Sequence, residues 1–453
     1  MSDEIVESKK QGARYFIPLL TFLAIYLGAG IIFSIWGVET PFKQISREFA
    51  LLCGVLVLLL MGKNKEGIEK NADVLVKGSA DQNSLLMLLI YVTAGAFSGA
   101  AKGMGGVDST VGLCFTFIPP QLAIAGVFIV SAVLATALGS SMTTIAALGP
   151  VAIGVANQTG ASYGIAIAAV LGGAMFGDNL SIISDTTIAA TRTCGCEMKD
   201  KFKMNFLIAL PAALVSIVLY GILGSAGQIT EVYEYSIVKI VPYIAVFVTA
   251  LLGMNVVLVL LLGTVLCGII GFATGAWNLA GFSAACTEGI SGMLSIAVQA
   301  LIIRGMSNFA KEFGGLDWLV AKFEKFINSR KSAEVGIGVL TGLVDVSMGN
   351  NTIAILVSSQ VAMKFARKYN IAAKRVASLL DISACVVQSF IPHGGQMMLC
   401  MSLTALSPVA IAKVAFYPWL LGLAALVTIL FGLMKTPEEK EGKDLYAGIS
   451  EEI

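Results

Sequence analysis

Histidine is nearly absent from this chain of 453 residues, which contains only His393. A single histidine excludes zinc sites built from paired histidines, and the sequence has no glycine-rich phosphate-binding loop that would couple it to ATP. Charged residues are also scarce, at 13% against 57% hydrophobic residues. A soluble domain of this composition would expose far more apolar surface than water tolerates. The composition therefore predicts a membrane protein.

Apolar runs that can cross or enter a bilayer occur along most of the chain. Long runs such as 204–226 and 256–275 suffice for full spans, whereas shorter ones such as 144–156 fit half-spans or hairpin arms. The first run, 16–36, follows basic residues as a signal peptide does, but it is too long and lacks a clear small-residue cleavage site, so we expect it to be retained. The predicted fold class is an all-α polytopic membrane protein with about ten spans and two hairpins.

Two parts of the chain resemble each other. The segment around His393 is a diverged copy of a segment 208 residues earlier, where Asp185 takes the matching position. Upstream, Ser98–Asp108 matches Ser307–Asp317 with one residue of slippage, and a lysine, paired glycines and an aspartate recur in register. Chance similarity between apolar helices rarely preserves such residues together. We infer an internal repeat, which is typical of secondary transporters.

Lysine and arginine are unevenly distributed among the linkers. They are concentrated in 62–77, 192–203, 304–331 and 364–375 and absent from 155–163, 227–236, 276–287 and 403–412. Cytoplasmic loops carry an excess of these residues, so we place the basic linkers in the cytoplasm, with the N-terminus and the chain from Lys435 onward. The corresponding turns of the two copies then lie on opposite sides. This predicts an inverted-topology repeat.

The repeat pattern divides the chain into seven parts. They are a cytoplasmic N-terminal tail (1–15), scaffold helices (16–95), repeat 1 with a hairpin and a broken helix (96–203), linking scaffold helices (204–303), repeat 2 (304–411), a last transmembrane helix (412–434) and a cytoplasmic tail (435–453). Repeat 2 begins with an amphipathic stretch, Leu316 to Ser329, which we expect to lie in the membrane interface as a helix.

Each repeat has two short apolar arms around a polar tip, Gly139–Thr144 in one and Ser347–Thr352 in the other. Such arms suit a re-entrant hairpin that ends near the midplane, although two full spans would give the same sidedness. A helix broken by glycine or proline follows each hairpin, over 172–187 and 381–395. Backbone freed at membrane depth is tolerated only where it lines a protein-buried or wet cavity. These tips and breaks are therefore the predicted binding site.

The candidate ligands are the oxygen-bearing side chains of these four points. They supply the ligands that a hard cation such as Na+ needs, while helix N-termini favour an anionic group, so one site can hold either or both. The predicted cation- or substrate-binding residues are Ser140, Ser141, Thr143, Thr144, Asp178, Asn179, Ser181, Ser184, Asp185, Thr186, Thr187, Asp345, Asn350, Asn351, Thr352 and Ser389.

Proton coupling needs ionisable groups at membrane depth, where an unpaired charge is expensive. The predicted residues are Asp185, Asp345, Asp381 and His393. The alternative for the aspartates is a water-facing helix end or an ion pair with Arg192 or Lys374, and for His393 a hydrogen-bonding fixture.

The stretch Gly173–Ser181, followed by Ser184-Asp185-Thr186-Thr187, resembles the G-A-x-F-G-D-x-L-S-x-x-S-D-T-T signature of the NhaC-type Na+/H+ antiporters, within the larger ion transporter superfamily. The resemblance implies a bacterial inner-membrane secondary transporter, often dimeric, with a scaffold domain and a mobile domain of hairpins and broken helices. Relatives exchange Na+ for H+, swap organic acids such as malate and lactate with coupled ions, or carry amino acids. The chain departs from the antiporter pattern at Ile188–Thr193, where many antiporters carry a more amide- and proline-rich stretch.

Two hypotheses about function result. The first is Na+/H+ exchange by alternating access, with Asp178 and Asp185 binding Na+ or H+ competitively and His393 or Asp345 tuning the pH range. The second is Na+- or H+-coupled transport of an amino acid or small carboxylate held by the tips, where Arg192 is a further candidate for a carboxylate.

We expect no enzyme, because no set of nucleophile, base and orienting group occurs in the sequence. No cofactor and no metal beyond the transported Na+ are expected. The expected partners are Na+, H+, membrane lipid, a second copy of the chain and, under the second hypothesis, a small organic acid or amino acid, without nucleic acid. The expected location is the inner membrane, with both termini in the cytoplasm.

Overall fold

The computed structural model describes residues 12–38, 41–62, 64–117, 119–181, 184–224, 235–252, 254–323 and 327–446, and these residues form helices and turns without β-strands. The helices are α1 (Ile17–Leu23), α2 (Ala29–Ile35), α3 (Arg47–Leu60), α4 (Lys65–Ser79), α5 (Gln82–Gly103), α6 (Gly106–Phe117), α7 (Ala123–Leu138), α8 (Ser141–Thr159), α9 (Tyr163–Leu180), α10 (Asp185–Cys194), α11 (Met198–Leu223), α12 (Ile237–Leu251), α13 (Val256–Ala273), α14 (Leu279–Glu312), α15 (Gly315–Phe323), α16 (Arg330–Met348), α17 (Asn351–Tyr369), α18 (Ala373–Gln388), α19 (Gly395–Thr404), α20 (Pro408–Val414), α21 (Phe416–Phe431) and α22 (Pro437–Lys440).

Many of these helices are suited to a bilayer. Six stretches of the described chain are long and apolar enough to cross it, and α19 with α20, bent by 101°, adds a seventh if the pair is one span. The six are Gly12–Phe33, Ser84–Gly103, Tyr163–Cys194, Met198–Leu223, Val256–Ala273 and Leu279–Glu312. The predicted class, an all-α multi-pass membrane protein, is confirmed, and the total number of spans stays a prediction.

The two repeats end their helices at equivalent left-handed residues. The pairs are Gly139 and Gly349, Gly160 and Asn370, and Gly195 and Ala405, after α7 and α16, α8 and α17, and α10 and α19. A left-handed residue closes a helix because its N–H bonds back into the last turn. The members of each pair are 210 residues apart, whereas the sequence match around His393 used 208. The register of the sequence match was therefore wrong by two residues. The error arose because runs of small apolar residues match almost equally well in neighbouring registers.

The corrected register changes one correspondence. Asp185, the first residue of α10, lies opposite Gly395, the first residue of α19, and not opposite His393. The upstream match is confirmed, since Gly105 and Gly314 both adopt positive φ, at 77° and 79°, between α5 and α6 and between α14 and α15.

Equivalent turns lie at opposite ends of the molecule. Arg330 donates to the carbonyl oxygen of Asn370 at 2.9 Å, so the turn after α17 returns to the start of α16, among the basic linkers. The equivalent turn after α8 lies at the other end of the broken helix α18–α19, since a Cβ at Gly164 would meet Leu406 at 3.6 Å. The repeats are therefore inverted, as predicted.

The two hairpins consequently enter from opposite ends, and both tips line one cavity. The arms contain 16 and 19 residues in α7 and α8 and 19 each in α16 and α17, which makes them roughly 24 to 29 Å long. Because the two tips meet between the two ends of the molecule, each hairpin stops partway through it. This favours re-entrant hairpins over pairs of full spans.

The long helices α5 and α14 occupy equivalent positions in the two repeats and touch backbone to backbone. A Cβ at Gly289 would lie 2.0 Å from the carbonyl oxygen of Gly95, and one at Gly99 would lie 2.1 Å from that of Ala285. Only glycine permits so close an approach of two helices.

A helix is confirmed over the first part of the predicted amphipathic stretch, and its place in the membrane interface stays a prediction. Helix α15 covers Gly315–Phe323, and residues 324–326 lie outside the described residues. Ser329 was predicted to end this helix but instead caps α16, where it forms a capping box with Ser332.

Candidate cation and substrate site

A cavity of about 300 Å³ lies where both hairpin tips meet both helix breaks. Eight of the predicted binding residues line it: Ser140, Ser141, Asp178, Asp185, Thr186, Asn350, Asn351 and Thr352. Other elements add mostly apolar groups and one charge: Leu86, Met87 and Ile90 of α5, Met142 of α8, Asn255 and Val256 at the start of α13, and Arg304 of α14. The cavity is therefore polar on the side of the repeats and apolar on the side of α5 and α13.

Asp178 is the buried carboxylate of this cavity. Its helix, α9, lies directly against α7, because a Cβ at Gly173 or Gly177 would meet α7 backbone atoms at 2.3 or 2.4 Å. This approach brings Asp178 beside the tip, where Ser141 Oγ donates to Asp178 Oδ2 at 2.8 Å. Asp178 is 5% exposed, and among the described residues no basic side chain forms an ion pair with it.

A chain of hydrogen-bonding groups leads from Asp178 to Asp345 in the other repeat. Gln396 Nε2 donates to Ser141 Oγ at 3.1 Å. One terminal atom of the Gln388 amide lies 2.7 Å from Gln396 Oε1, and the other lies 2.8 Å from Asp345 Oδ1. An amide can present either its oxygen or its nitrogen to a neighbour, so the direction of donation along this chain depends on whether Asp345 carries a proton.

Asp381 belongs to a second, separate cluster. Lys201 of α11 lies 2.5 Å from Asp381 Oδ2 and also donates to the carbonyl oxygen of Asn179 and to Thr187 Oγ1, both at 2.7 Å. The Asn179 carbonyl is available because α9 ends at Leu180. Asn205 and Asn179 donate to the same Asp381 oxygen at 2.9 and 3.0 Å.

This cluster accounts for three predicted site residues. Asp381, Asn179 and Thr187 surround an ammonium group whose three N–H donors are all satisfied. The cation is Lys201, whereas the predicted alternatives were Arg192 and Lys374. Lys374 instead lies 3.9 Å from Asp200, and Arg192 is exposed and is not among the cavity-lining residues.

Several predicted hydroxyls hold the tips and breaks in shape and are not among the cavity-lining residues. Thr143 and Thr144 donate to Ser140, Ser184 lies 2.6 Å from the Thr186 hydroxyl, and Ser389 donates to the Cys385 carbonyl at 2.7 Å. Such bonds to nearby backbone and hydroxyl groups are common for serine and threonine. Ser181 is buried directly after the end of α9.

His393 is buried in the second break, and its Nε2 lies 2.9 Å from the carbonyl oxygen of Val346. A carbonyl only accepts, so Nε2 carries the hydrogen. The rings of His393 and Phe22 pack edge to face, and His393 is not among the cavity-lining residues. The structure thus gives His393 a positioning contact with α16, and its role in proton coupling stays a prediction.

Sequence reasoning missed six polar residues that shape these sites: Lys201, Asn205, Asn255, Arg304, Gln388 and Gln396. Lys201 and Arg304 were counted with the basic linkers, but Lys201 is 1% exposed within α11, and Arg304 lies two turns inside α14. The sequence did not show that α14 continues for two turns beyond Arg304. Gln388 and Gln396 lie on either side of the observed break at 389–394, and amides in so apolar a segment were a usable signal.

Comparison with known proteins finds a family that covers most of the chain. The model of a family described as the Na+/H+ antiporter family matches residues 13–225 and 228–436, which correspond closely to the two halves of the fold.

Individual relatives are more distant. A malate-2H+/Na+-lactate antiporter of Bacillus subtilis is 21% identical, over 73% of this chain and 77% of that protein. The Na+/H+ antiporter NhaC of Alkalihalophilus pseudofirmus is 24% identical, over 72% and 77%. The crystal structure of the YdaH transporter of Alcanivorax borkumensis aligns with a TM-score of 0.43 at 14% identity, covering 82% of this chain and 89% of that one.

Proposed function

Because this chain belongs to the Na+/H+ antiporter family, we propose that Asp178 is the carboxylate at which Na+ and H+ compete during exchange. The observation that carries the proposal is the position of Asp178: it is buried, lines the cavity, and has a hydroxyl donor but no tethered cation among the described residues. Family membership supports a transporter over an enzyme and implies Na+ and H+ as the transported ions.

The cost of burying charge explains the coupling. An uncompensated carboxylate at membrane depth is expensive, so the protein can change its access only when Na+ or H+ neutralises Asp178. Ser140, Thr186 and Asn351 offer further oxygen ligands in the same cavity. Since the tips enter from opposite ends, movement of one repeat against the other opens the cavity to alternate sides.

Asp345 tunes this exchange through the chain of amides. When Asp345 carries a proton, it donates to Gln388, and donation continues through Gln396 and Ser141 to the Asp178 carboxylate. When Asp345 is ionised, both amides turn over and the Ser141 hydroxyl is drawn toward Gln396. Asp178 then loses a hydrogen-bond donor that stabilises its charge. The carboxylate therefore holds its proton more tightly, which extends exchange to alkaline pH.

Replacement of Asp178 by Asn tests the central role of this residue. Asparagine keeps the shape and accepts from Ser141, but it neither ionises nor binds Na+ strongly, so we expect exchange to fall by about a hundredfold or more. The measurement is the pH change inside proteoliposomes with a trapped pH-sensitive dye after a Na+ pulse. Asp317→Asn, an exposed carboxylate on α15, is the matched control and should exchange normally. Exchange by folded Asp178→Asn protein at the rate of the control would refute the assignment.

A second candidate function is coupled transport of an organic acid. It is supported by the similarity to the malate-2H+/Na+-lactate antiporter and by a cavity larger than Na+ requires. In this case Asp178 holds the coupling ion, and the two hairpin tips hold the solute.

We further propose that the protein resides in the inner membrane with both termini in the cytoplasm, as a homodimer. The clustering of basic segments at one end supports the orientation: Arg330 also bonds Glu439 of the C-terminal segment at 2.8 Å, and Gly12 packs against Trp318. Labelling of cysteines introduced beside Arg330 and beside Leu406, from either side of intact vesicles, tests it. Mass measurement in detergent tests the dimer.

A further inference from the structure

Arg304 is a buried cation whose one hydrogen-bond contact among the described residues is a methionine sulfur, while the charges of Asp81 and Asp345 act on it without an ion pair. It is 6% exposed, and its Nη2 lies 3.4 Å from the sulfur of Met87, a weak acceptor. Within the described residues, its Nε and Nη1 have no hydrogen-bond partner, and no carboxylate forms an ion pair with it. A guanidinium at membrane depth without a partner is costly, which makes it a candidate for a functional site.

Arg304 faces the same cavity as the starts of four helices. Ser141, Asp185, Asn351 and Gly395 are the first residues of α8, α10, α17 and α19, and all four line the cavity. Helix N-termini carry partial positive charge and free N–H groups, which favour anions. For α19 the N-cap is Gly394, which offers no side-chain cap, so its first N–H groups are not used by a capping side chain.

The size and lining of the cavity suit a small organic molecule. Its volume of about 300 Å³ lies at the lower end of the range for small-molecule pockets and is far larger than one dehydrated Na+ needs. Leu86, Ile90 and Val256 provide an apolar wall opposite the polar tips. A short carbon chain fits such a wall, and a carboxylate fits the planar donors of Arg304.

We propose that Arg304 is the carboxylate-binding residue of this cavity and that the protein takes a small organic carboxylate together with its cations. The inference rests on the proposed function in one respect, since Asp178 remains the site of the coupling ion. The carboxylate binds Arg304 through paired N–H donors, and the first turns of α8, α17 and α19 contribute further donors to the same anion.

The test is Na+-driven uptake of radiolabelled lactate and malate by proteoliposomes of the full-length protein, with lactamide as an uncharged competitor. We expect uptake of at least one of the two acids and no competition by lactamide. Arg304→Gln should weaken carboxylate affinity by about tenfold or more, because a charge-assisted, two-point contact is lost. Arg304→Lys should retain part of it, and Arg192→Gln, an exposed arginine outside the cavity lining, should behave as wild type.

The outcomes separate this inference from the proposed function. The inference would be overturned if Na+ alone drove proton flux in the wild-type protein and neither acid was taken up or altered that flux. Asp178 would then remain the exchange site. Uptake that persists unchanged in Arg304→Gln would overturn it too. Uptake that needs Arg304 but continues in Asp178→Asn would support the carboxylate site and refute Asp178. Should Arg304→Gln fail to fold, Arg304→Lys supplies the comparison.

Discussion

Asp178 and Asp381 are two buried carboxylates near the same helix break, and their surroundings differ in one respect. Asp381 is neutralised by an ammonium that the chain itself supplies, and two amides close the site. Asp178 has a serine hydroxyl and a cavity, and within the part of the chain that the structure describes no basic side chain forms an ion pair with it. Under the proposed function, burial alone does not identify a transport carboxylate, whereas a place left for a mobile cation does.

Lys201 also explains why the break beside Asp178 can exist. The broken helix α9 leaves carbonyl groups without intrahelical partners, and Lys201 satisfies one of them at Asn179. The Asp381 cluster thereby stabilises the break, and the cavity beside Asp178 lies at this break.

The largest effect on stability should come from breaking the Lys201–Asp381 pair. Lys201→Met leaves an uncompensated buried carboxylate, which costs about 3–5 kcal/mol. We expect a clear loss of thermal stability in detergent, measured as the unfolding midpoint. The double variant Lys201→Met/Asp381→Asn should recover much of this loss, because no charge then remains. A folded double variant that has lost Na+/H+ exchange would instead place Asp381 in the transport pathway.

Asp345→Asn should move the pH profile of exchange. An asparagine can donate to Gln388 at every pH, so Ser141 keeps donating to Asp178, which then binds its proton less tightly. We expect the alkaline limb to move toward lower pH by about one to two units, since a hydrogen bond to a charged group contributes about 1.5–3 kcal/mol. Initial rates of Na+-driven dye response across pH measure it, with Asp317→Asn as the control. An unmoved limb would remove Asp345 from the mechanism.

Asp185→Asn should have a smaller effect than Asp178→Asn. Asp185 lines the cavity but is exposed, at the first position of α10. Its charge attracts Na+ through solvent, so its loss should raise the KM for Na+ by about two- to fivefold. The difference in KM between the variant and the wild type should shrink when choline chloride screens the charge of Asp185. Abolished exchange would make Asp185 a direct ligand, as the signature suggests.

The smallest effect is expected for His393→Gln. A glutamine amide can still donate to the Val346 carbonyl, so the break keeps its contact with α16. We expect the pH profile of exchange to move by less than about half a unit, equivalent to ~0.7 kcal/mol. A larger shift would restore His393 to proton coupling.

The sequence was most informative where polar residues interrupt apolar helices. Both tips, both breaks and the inverted order were predicted, because unsatisfied backbone at membrane depth permits few arrangements. The partners of the ionisable groups were not predicted. Lys201 and Arg304 sit near helix ends, where a basic residue normally reaches water, and only the packing of α11 and α14 shows that they are buried. Such contacts join residues far apart in the chain, and local patterns do not contain them.

The glycine contact between α5 and α14 has a mechanical consequence. Where the carbonyl of Gly95 meets the position of a Gly289 side chain, the two helices have no layer of side chains between them that could slide or compress. If the two halves move against each other during transport, this crossing can serve only as a pivot, because the helices cannot be compressed further there. An alanine at Gly289 would act as a wedge, and transport would slow even though the cavity and its ligands were untouched.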